Sequence, residues 1–187
     1  MSHPIAATSD PYLRPSFSLS NRLGRFAWKV VYSLLFRTSP RPLHAWRAML
    51  LRWFGAKLGE NCHIYPGAEI WAPWNLNCGD VVAIADGAII YNPSPVFLGS
   101  HSVISQQAYL CGASHDYNES DFPLISAPIW IDAHAWICAR ATVQMGIRVA
   151  EGAILALGAI ATSDLEPQSI YAGIPARKIK DRVHSND

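Results

Sequence analysis

The chain has 187 residues, half of them apolar and only 16% charged, with a formal net charge of +1. Such a composition excludes a wholly disordered chain, and the length fits one core-bearing unit with an appendage. The near-neutral total hides an asymmetry: residues 1–57 hold nine Lys and Arg against the single acid Asp10, whereas the remainder holds six basic and thirteen acidic residues. A basic arm therefore precedes an acidic body.

Met1 to Asp10 is polar and lacks a signal-peptide pattern. Beyond it, Leu19, Leu23, Phe26, Ala27, Val30, Val31, Leu34 and Leu35 fall at helical spacing, with Ser18 or Ser20 as candidate caps and Pro40 and Pro42 as terminators. Val30 to Phe36, the longest apolar stretch, is too short to span a bilayer. A second short helix fits Leu43 to Phe54, with Leu43, Trp46, Leu50, Trp53 and Phe54 on one face. Arg22, Arg25, Lys29, Arg47 and Arg52 interleave with these apolar residues. Two roles fit this arm: a cap over the open end of the following body, or a basic amphipathic face on an anionic membrane surface. No motif accompanies the charge that would recommend nucleic acid.

From Leu58 onward the pattern changes to a period of six. Large aliphatics recur at Leu58, Ile64 and Ile70; Ile84 and Ile90; Leu98, Ile104 and Leu110; then Ile131, Ile137, Val143, Val149 and Leu155. Four residues after most of them stands a small residue: Cys62, Ala68, Ala88, Ser102, Ala108, Ala135, Ala141, Ala153 or Ala159. This period is neither helical nor that of a simple alternating strand; it predicts a solenoid of short parallel strands with the aliphatics inside and the small residues at its corners. The interruptions after residues 70, 90 and 110 are twenty apart. Twenty-residue coils would stack all three on one edge, which should then carry Trp71, Trp74, Tyr91, Asn92 and the long Gly112–Pro128 loop. Loops held on a rigid scaffold are where function concentrates.

The four cysteines, Cys62, Cys78, Cys111 and Cys138, form no CxxC pair and read as free thiols in a reducing compartment. The chain has no P-loop, no GxGxxG, no nucleophile elbow and no metal-binding pattern. Of the histidines, His63, His101 and His134 fall in repeat phase and read as solvated. His3 and His184 lie in tails and His44 lies in the arm. His115 stands apart: it sits in Ser114-His115-Asp116-Tyr117, within the long loop and above the Asn92 corner. An imidazole can accept a hydroxyl proton at neutral pH, and the adjacent Asp116 is placed to tune it.

At this point the chain resembles the hexapeptide-repeat acyltransferases, and more narrowly the colanic-acid-type polysaccharide acetyltransferases. The resemblance rests on Ser39-Pro40-Arg41-Pro42-Leu43-His44, Ile64-Tyr65-Pro66, Ile70-Trp71-Ala72-Pro73-Trp74-Asn75-Leu76, Ile104-Ser105-Gln106, Tyr109-Leu110-Cys111, Ser114-His115-Asp116 and Ala172-Gly173-Ile174-Pro175-Ala176-Arg177. It covers residues 16 to 180 and implies a mainly β fold: a left-handed parallel β-helix of hexapeptide repeats, with an N-terminal helical arm and a short C-terminal tail. The expected division is an arm at 1–57, the β-helix at 58–178 with its loop at 111–130, and a tail at 179–187. The implied activity is direct transfer of an acetyl group from acetyl-CoA, a co-substrate, to a sugar hydroxyl in surface polysaccharide biosynthesis. The implied location is cytoplasmic, free or at the inner face of the membrane, and the implied assembly is a homotrimer with sites between subunits. His115 matches the loop base. Arg177 and Lys178 follow the segment that approaches the CoA phosphates, while Ala139, Leu157 and Thr162 line its channel and Trp136 flanks it. Asn92, Trp71, Trp74 and Asp116 are the candidate acceptor contacts, and no metal is expected. Ala156, Cys78 and Ser163 depart from the family's usual Gly, aliphatic and Lys.

Three other readings share the scaffold. One is acyl transfer to an amino-sugar, serine or another small molecule. A second is a non-catalytic binding module. The third is a zinc-dependent γ-class carbonic anhydrase, whose three ligands His101, His115 and His134 would match poorly in spacing, at fourteen and nineteen residues.

Overall fold

Each six-residue repeat contributes a short strand and a tight corner, so the chain turns onto a new face every repeat. The computed structural model describes residues 3–4 and 16–183. In it the repeats build a parallel β-helix of about six coils with three flat faces. The first face stacks Lys57–Leu58, Leu76–Cys78, Val96–Leu98, Ile129–Ile131 and Arg148–Val149. The second stacks His63–Ile64, Ala83–Ile84, Val103–Ile104, Trp136–Ile137, Ile154–Leu155 and Ser169–Ala172. The third stacks Glu69–Ile70, Ile89–Tyr91, Tyr109–Cys111, Thr142–Gln144 and Ile160–Ala161.

The register follows the repeat. Leu58 pairs with Cys78 and Cys78 with Leu98, twenty residues per coil; Ile131 then pairs with Val149, the plain period of eighteen. Of the thirteen aliphatics in phase, twelve are buried and Leu58 at the open end is half-buried. The small residues four positions later, from Cys62 to Ala159, are buried as well. Their size matters because the chain reverses there: Asn61, Val81, His101 and His134 take the left-handed conformation at one edge, and Gly87, Gln107, Arg140 and Gly158 take it at the next. The strand Arg177–Asp181 turns back antiparallel on Ser169–Ala172 and closes the far end of the second face.

The arm caps the near end. Helix α1, Leu19–Val31, starts at Ser18, whose hydroxyl accepts from Asn21 N at 3.2 Å, and runs on through a π-helical turn to Phe36. Helix α2, His44–Trp53, follows the prolines. The first coil has no coil before it, so its strand carbonyls would be orphaned. Each face receives a donor from the arm. Arg52 Nη2 bonds Leu58 O at 3.2 Å, Arg47 Nε bonds Ile64 O at 2.6 Å with His44 Nδ1 at 2.9 Å, and Trp28 Nε1 bonds Ile70 O at 2.7 Å. Arg47 is fully buried, and its remaining donors hold Ser39 Oγ and the carbonyls of Pro40 and Arg41.

Capping does not use the whole apolar face of the arm. The apolar row Leu19, Leu23, Phe26, Val30 and Leu34 is exposed rather than packed, and Leu43, just before α2, and Trp53, at its end, are exposed too. Burial goes instead to Trp28 and Phe36, with Tyr32 half-buried beside them. Arg14 of the basic arm and the tail residues 184–187, His184 among them, lie outside the described residues. No helix among the described residues is long and apolar enough to cross a membrane.

Candidate active site

The three excursions do stack on one edge, between the third and first faces. The first is Trp71 to Asn75, the second begins at Asn92, and the third is the 112–128 loop. Asn92 knits the first two together. It is fully buried, its Oδ1 accepting from Ala72 N at 2.9 Å and its Nδ2 donating to Ala72 O at 2.8 Å. Asn75 Nδ2 then bonds the carbonyls of Asn92 and Pro93. The long loop starts at Gly112, whose N–H bonds Tyr91 O; a Cβ there would stand 2.6 Å from that same oxygen, so only glycine fits. Two short strands, Ala113–His115 and Leu124–Ser126, pair antiparallel as a hairpin, and the backbone of His3–Pro4 pairs with its second strand. Ser94 and Ser126 share a hydroxyl contact of 2.6 Å at its base.

His115 lies exposed at the end of the first hairpin strand. Its Nδ1 lies 2.5 Å from Phe122 O. A carbonyl only accepts, so Nδ1 carries the proton and Nε2 presents a free lone pair. Phe122 adopts the left-handed conformation, φ +45°, uncommon for a non-glycine residue. This is the orienting contact that the sequence did not reveal: it is a backbone atom seven residues away, with no side-chain signature. Asp116 does not touch the imidazole. Its carboxylate holds Asn118 N and Nδ2, and its own N–H bonds Pro123 O, so it shapes the loop.

The expected acceptor contacts are placed otherwise. Asn92 is committed to the backbone of Ala72 and is a clasp between coils. Trp71 is half-buried beneath the arm, with Phe17 and Tyr91 rings at 5.0 and 5.4 Å and the Arg25 guanidinium 4.3 Å over its own ring. Trp74 packs between the arm's two glycines; a Cβ on Gly24 would come within 3.3 Å of its ring. Both tryptophans join arm to solenoid, which explains why two are present.

The expected cofactor contacts fall at a different edge, between the second and third faces. Ala139 and Leu157 line an open groove of about 590 Å³ together with Gln106, Gln107, Arg140 and Gly158. Arg140 Nε bonds Gln107 Oε1 at 2.8 Å there; neither residue belongs to a motif, and only the stacking of coils brings them to the groove. Trp136 is exposed on the second face, its Nε1 bonded to Ser105 Oγ. Thr162 is exposed beyond the end of this row. Ala176 N–H bonds Ile160 O, which brings Arg177 to the same end of the solenoid. Successive strand residues face opposite sides, and the two basic residues part company accordingly. Lys178 Nζ is held by Glu166 at 2.7 Å and Asp181 at 2.8 Å, and these two carboxylates push its pKa up. Arg177 is exposed and, among the described residues, its side chain bonds only Ala176 O. The groove and Arg177 thus suit an elongated ligand with phosphates, whereas the Lys178 charge is already neutralised.

His115 and this groove are separated by the width of the third face, so one subunit does not bring them together. Nor does it assemble a zinc site: His101 and His134 stack at 5.0 Å on the edge between the first and second faces, away from His115. Among the described residues no cluster of three or more His, Cys, Asp or Glu is placed to hold a metal.

No family model matches the chain. It is 35% identical over 158 residues to the putative colanic acid biosynthesis acetyltransferase WcaF of Escherichia coli K12, covering 84% of this chain and 87% of that one. It is 23% identical over 138 residues to the galactoside O-acetyltransferase of the same organism, covering 72% and 68%. Among solved structures, a hexapeptide-repeat acetyltransferase of Vibrio cholerae superposes with a TM-score of 0.81 at 22% identity, covering 89% of this chain and 95% of that one. A galactoside acetyltransferase in complex with coenzyme A superposes with a TM-score of 0.77 at 20% identity, covering 88% and 84%.

Proposed function

Because the chain belongs to the colanic-acid-type hexapeptide-repeat acetyltransferases, left-handed β-helix enzymes, we propose that it moves an acetyl group from acetyl-CoA to a saccharide hydroxyl, with His115 as general base. The observation that carries this is the Nδ1 contact to Phe122 O, which leaves Nε2 free to accept a proton. Nε2 takes the hydroxyl proton as the acceptor oxygen bonds to the thioester carbon. The tetrahedral oxyanion then collapses, the C–S bond breaks, and the proton on the imidazolium passes to the departing thiolate. The donor is already activated, so positioning and oxyanion stabilisation supply the rest of the catalysis. Acetyl-CoA lies along the Ala139–Leu157 groove, with Thr162 at its end and Arg177 on its phosphates.

The two-edge arrangement fits a homotrimer: His115 of one subunit meets the groove of its neighbour, and cyclic symmetry repeats the contact. The acceptor is a saccharide destined for a surface polysaccharide, and the enzyme works in the cytoplasm, where four free thiols are at home.

The test is acetyl-CoA consumption against nucleotide sugars and lipid-linked oligosaccharides. Wild type should turn over at least one of them, and His115→Ala should lower the rate by about 10²–10⁴ while acetyl-CoA still binds. A His115→Ala rate within a few-fold of wild type would remove the residue from the mechanism.

A further inference from the structure

We propose that the outward face of α1 seats the protein on the surface of a lipid bilayer bearing anionic headgroups. The inner side of the helix is already satisfied. Trp28 is buried with its Nε1 on Ile70 O, Gly24 meets Trp74, and Arg25 lies over Trp71. At about 100° per residue, the side opposite Trp28 carries Leu19, Leu23, Phe26 and Val30, and Leu34 continues the row through the π turn. Their exposures are 67%, 59%, 69%, 43% and 66%. Single exposed apolar residues are ordinary, but five large ones in an unbroken row mark a contact surface.

Charge and shape decide the occupant. Residues 16–59 contain no Asp or Glu. Arg22 and Lys29, seven residues apart, share one flank of the row and are exposed, and Arg37 follows it. Long basic side chains beside an apolar stripe can reach headgroup phosphates while the stripe enters the acyl boundary. The helix is not long or apolar enough to cross the bilayer, so it lies in the plane of the surface. A second copy could meet the row only with its own row, which would bring the Arg22 and Lys29 of both copies together with no acid at 16–59 to offset them. The large exposed apolar residues of the solenoid are dispersed: Ile89 is on the third face, Phe97 on the first and Trp136 on the second, Leu157 is at the corner between the second and third, Phe122 is in the long loop, and Ile174 and Ile179 are at the far end. Since α1 covers the start of the excursion edge through Trp71 and Trp74, docking would hold the edge that bears the His115 loop close to the membrane.

The experiment is co-sedimentation of the full chain with vesicles of phosphatidylcholine, with and without phosphatidylglycerol, across a salt series. Velocity sedimentation of the same proteins in solution accompanies it. Wild type should bind the anionic vesicles at low salt and be released as salt rises, because screening shortens the reach of Arg22 and Lys29. Leu23→Ser with Phe26→Ser should weaken vesicle binding by more than about tenfold with oligomer size unchanged. Arg22→Glu with Lys29→Glu should abolish the preference for anionic lipid. Failure of wild type to bind anionic vesicles at low salt overturns the proposal. So does vesicle binding that survives Leu23→Ser with Phe26→Ser, and so does a change of oligomer size in that variant, which would make the row an interface between copies.

Discussion

The most exacting test of how the solenoid is closed is Arg47. Its guanidinium is fully buried and bonds Ile64 O, Ser39 Oγ, Pro40 O and Arg41 O. In Arg47→Ala, Ile64 O keeps His44 Nδ1, and the Ser39 hydroxyl keeps its own bond to Phe36 O. Pro40 O keeps the N–H of Leu43 at 3.1 Å, so Arg41 O alone loses the guanidinium without such a substitute. An unsatisfied buried acceptor costs about 1–3 kcal/mol, and the bond to Arg41 O is part-buried, so the loss falls toward the lower end of that range, against a domain stability of about 5–15 kcal/mol. Arg47→Met keeps most of the apolar volume but leaves the same acceptor bare. The two variants should therefore fall close together in urea unfolding, both below wild type. Near-wild-type stability of Arg47→Met, with only Arg47→Ala destabilised, would show that the side chain acts by filling space and would refute the capping argument. A loss below about 0.5 kcal/mol in both, the range of an ordinary surface site, would refute it equally.

Two further outcomes follow from the site and the core. Arg177→Ala should raise the KM for acetyl-CoA about tenfold or more, as expected for a lost charge-assisted phosphate contact, and Lys178→Ala should change it little because Glu166 and Asp181 already hold that charge; equal effects in steady-state kinetics would refute the distinction. Burial pushes the thiols of Cys62, Cys78 and Cys138 up, Cys78 furthest. Above the ordinary thiol value of about 8.5, the unfolded chain releases protons that the folded chain retains, so stability should fall as pH rises through that value. The melting temperature should drop between about pH 8 and about pH 10 and drop less in Cys78→Val; a flat profile in wild type would contradict the assignment.

The interior of the solenoid was legible because its period forces one inward residue every six, and no partner from elsewhere in the chain competes for that place. Ile64, Ile84, Ile104, Ile137 and Leu155 form one ladder on the second face, as the spacing required. The twenty-residue intervals equally put Trp71, Asn92 and the long loop on one edge. What those edge residues do was not legible. Asn92 reads as a polar group on a functional edge, but its partners are backbone atoms of Ala72 twenty residues away. Lys178 reads as a free cation until strand reversal brings Glu166 to it. The orientation of α1 was hidden for a related reason. Hydrophobic periodicity shows that Leu19, Leu23 and Phe26 share a side, but not what that side meets. Aromatic packing of Trp28 with Phe36 and Phe54 fixes the opposite side on the solenoid.

The uneven charge of the chain can now be divided by structure. Four basic side chains of the arm are committed to the body: Arg47 and Arg52 to first-coil carbonyls, Arg25 to Asn21 and the Trp71 ring, and Arg41 to Asp86 at 3.1 Å. Capping the solenoid thus explains about half of the arm's positive charge, and explains why arginine is used, since its fork can serve several carbonyls at once. It does not explain Arg22, Lys29 and Arg37, whose side chains have no hydrogen-bond or ion-pair partner among the described residues. Arg22 and Lys29 flank the apolar row that packing left in the open, and Arg37 stands just beyond its end. A cap alone needs neither that row nor that charge. Their coincidence on the outer side of one helix is what separates a surface that binds something from a helix that only closes an end.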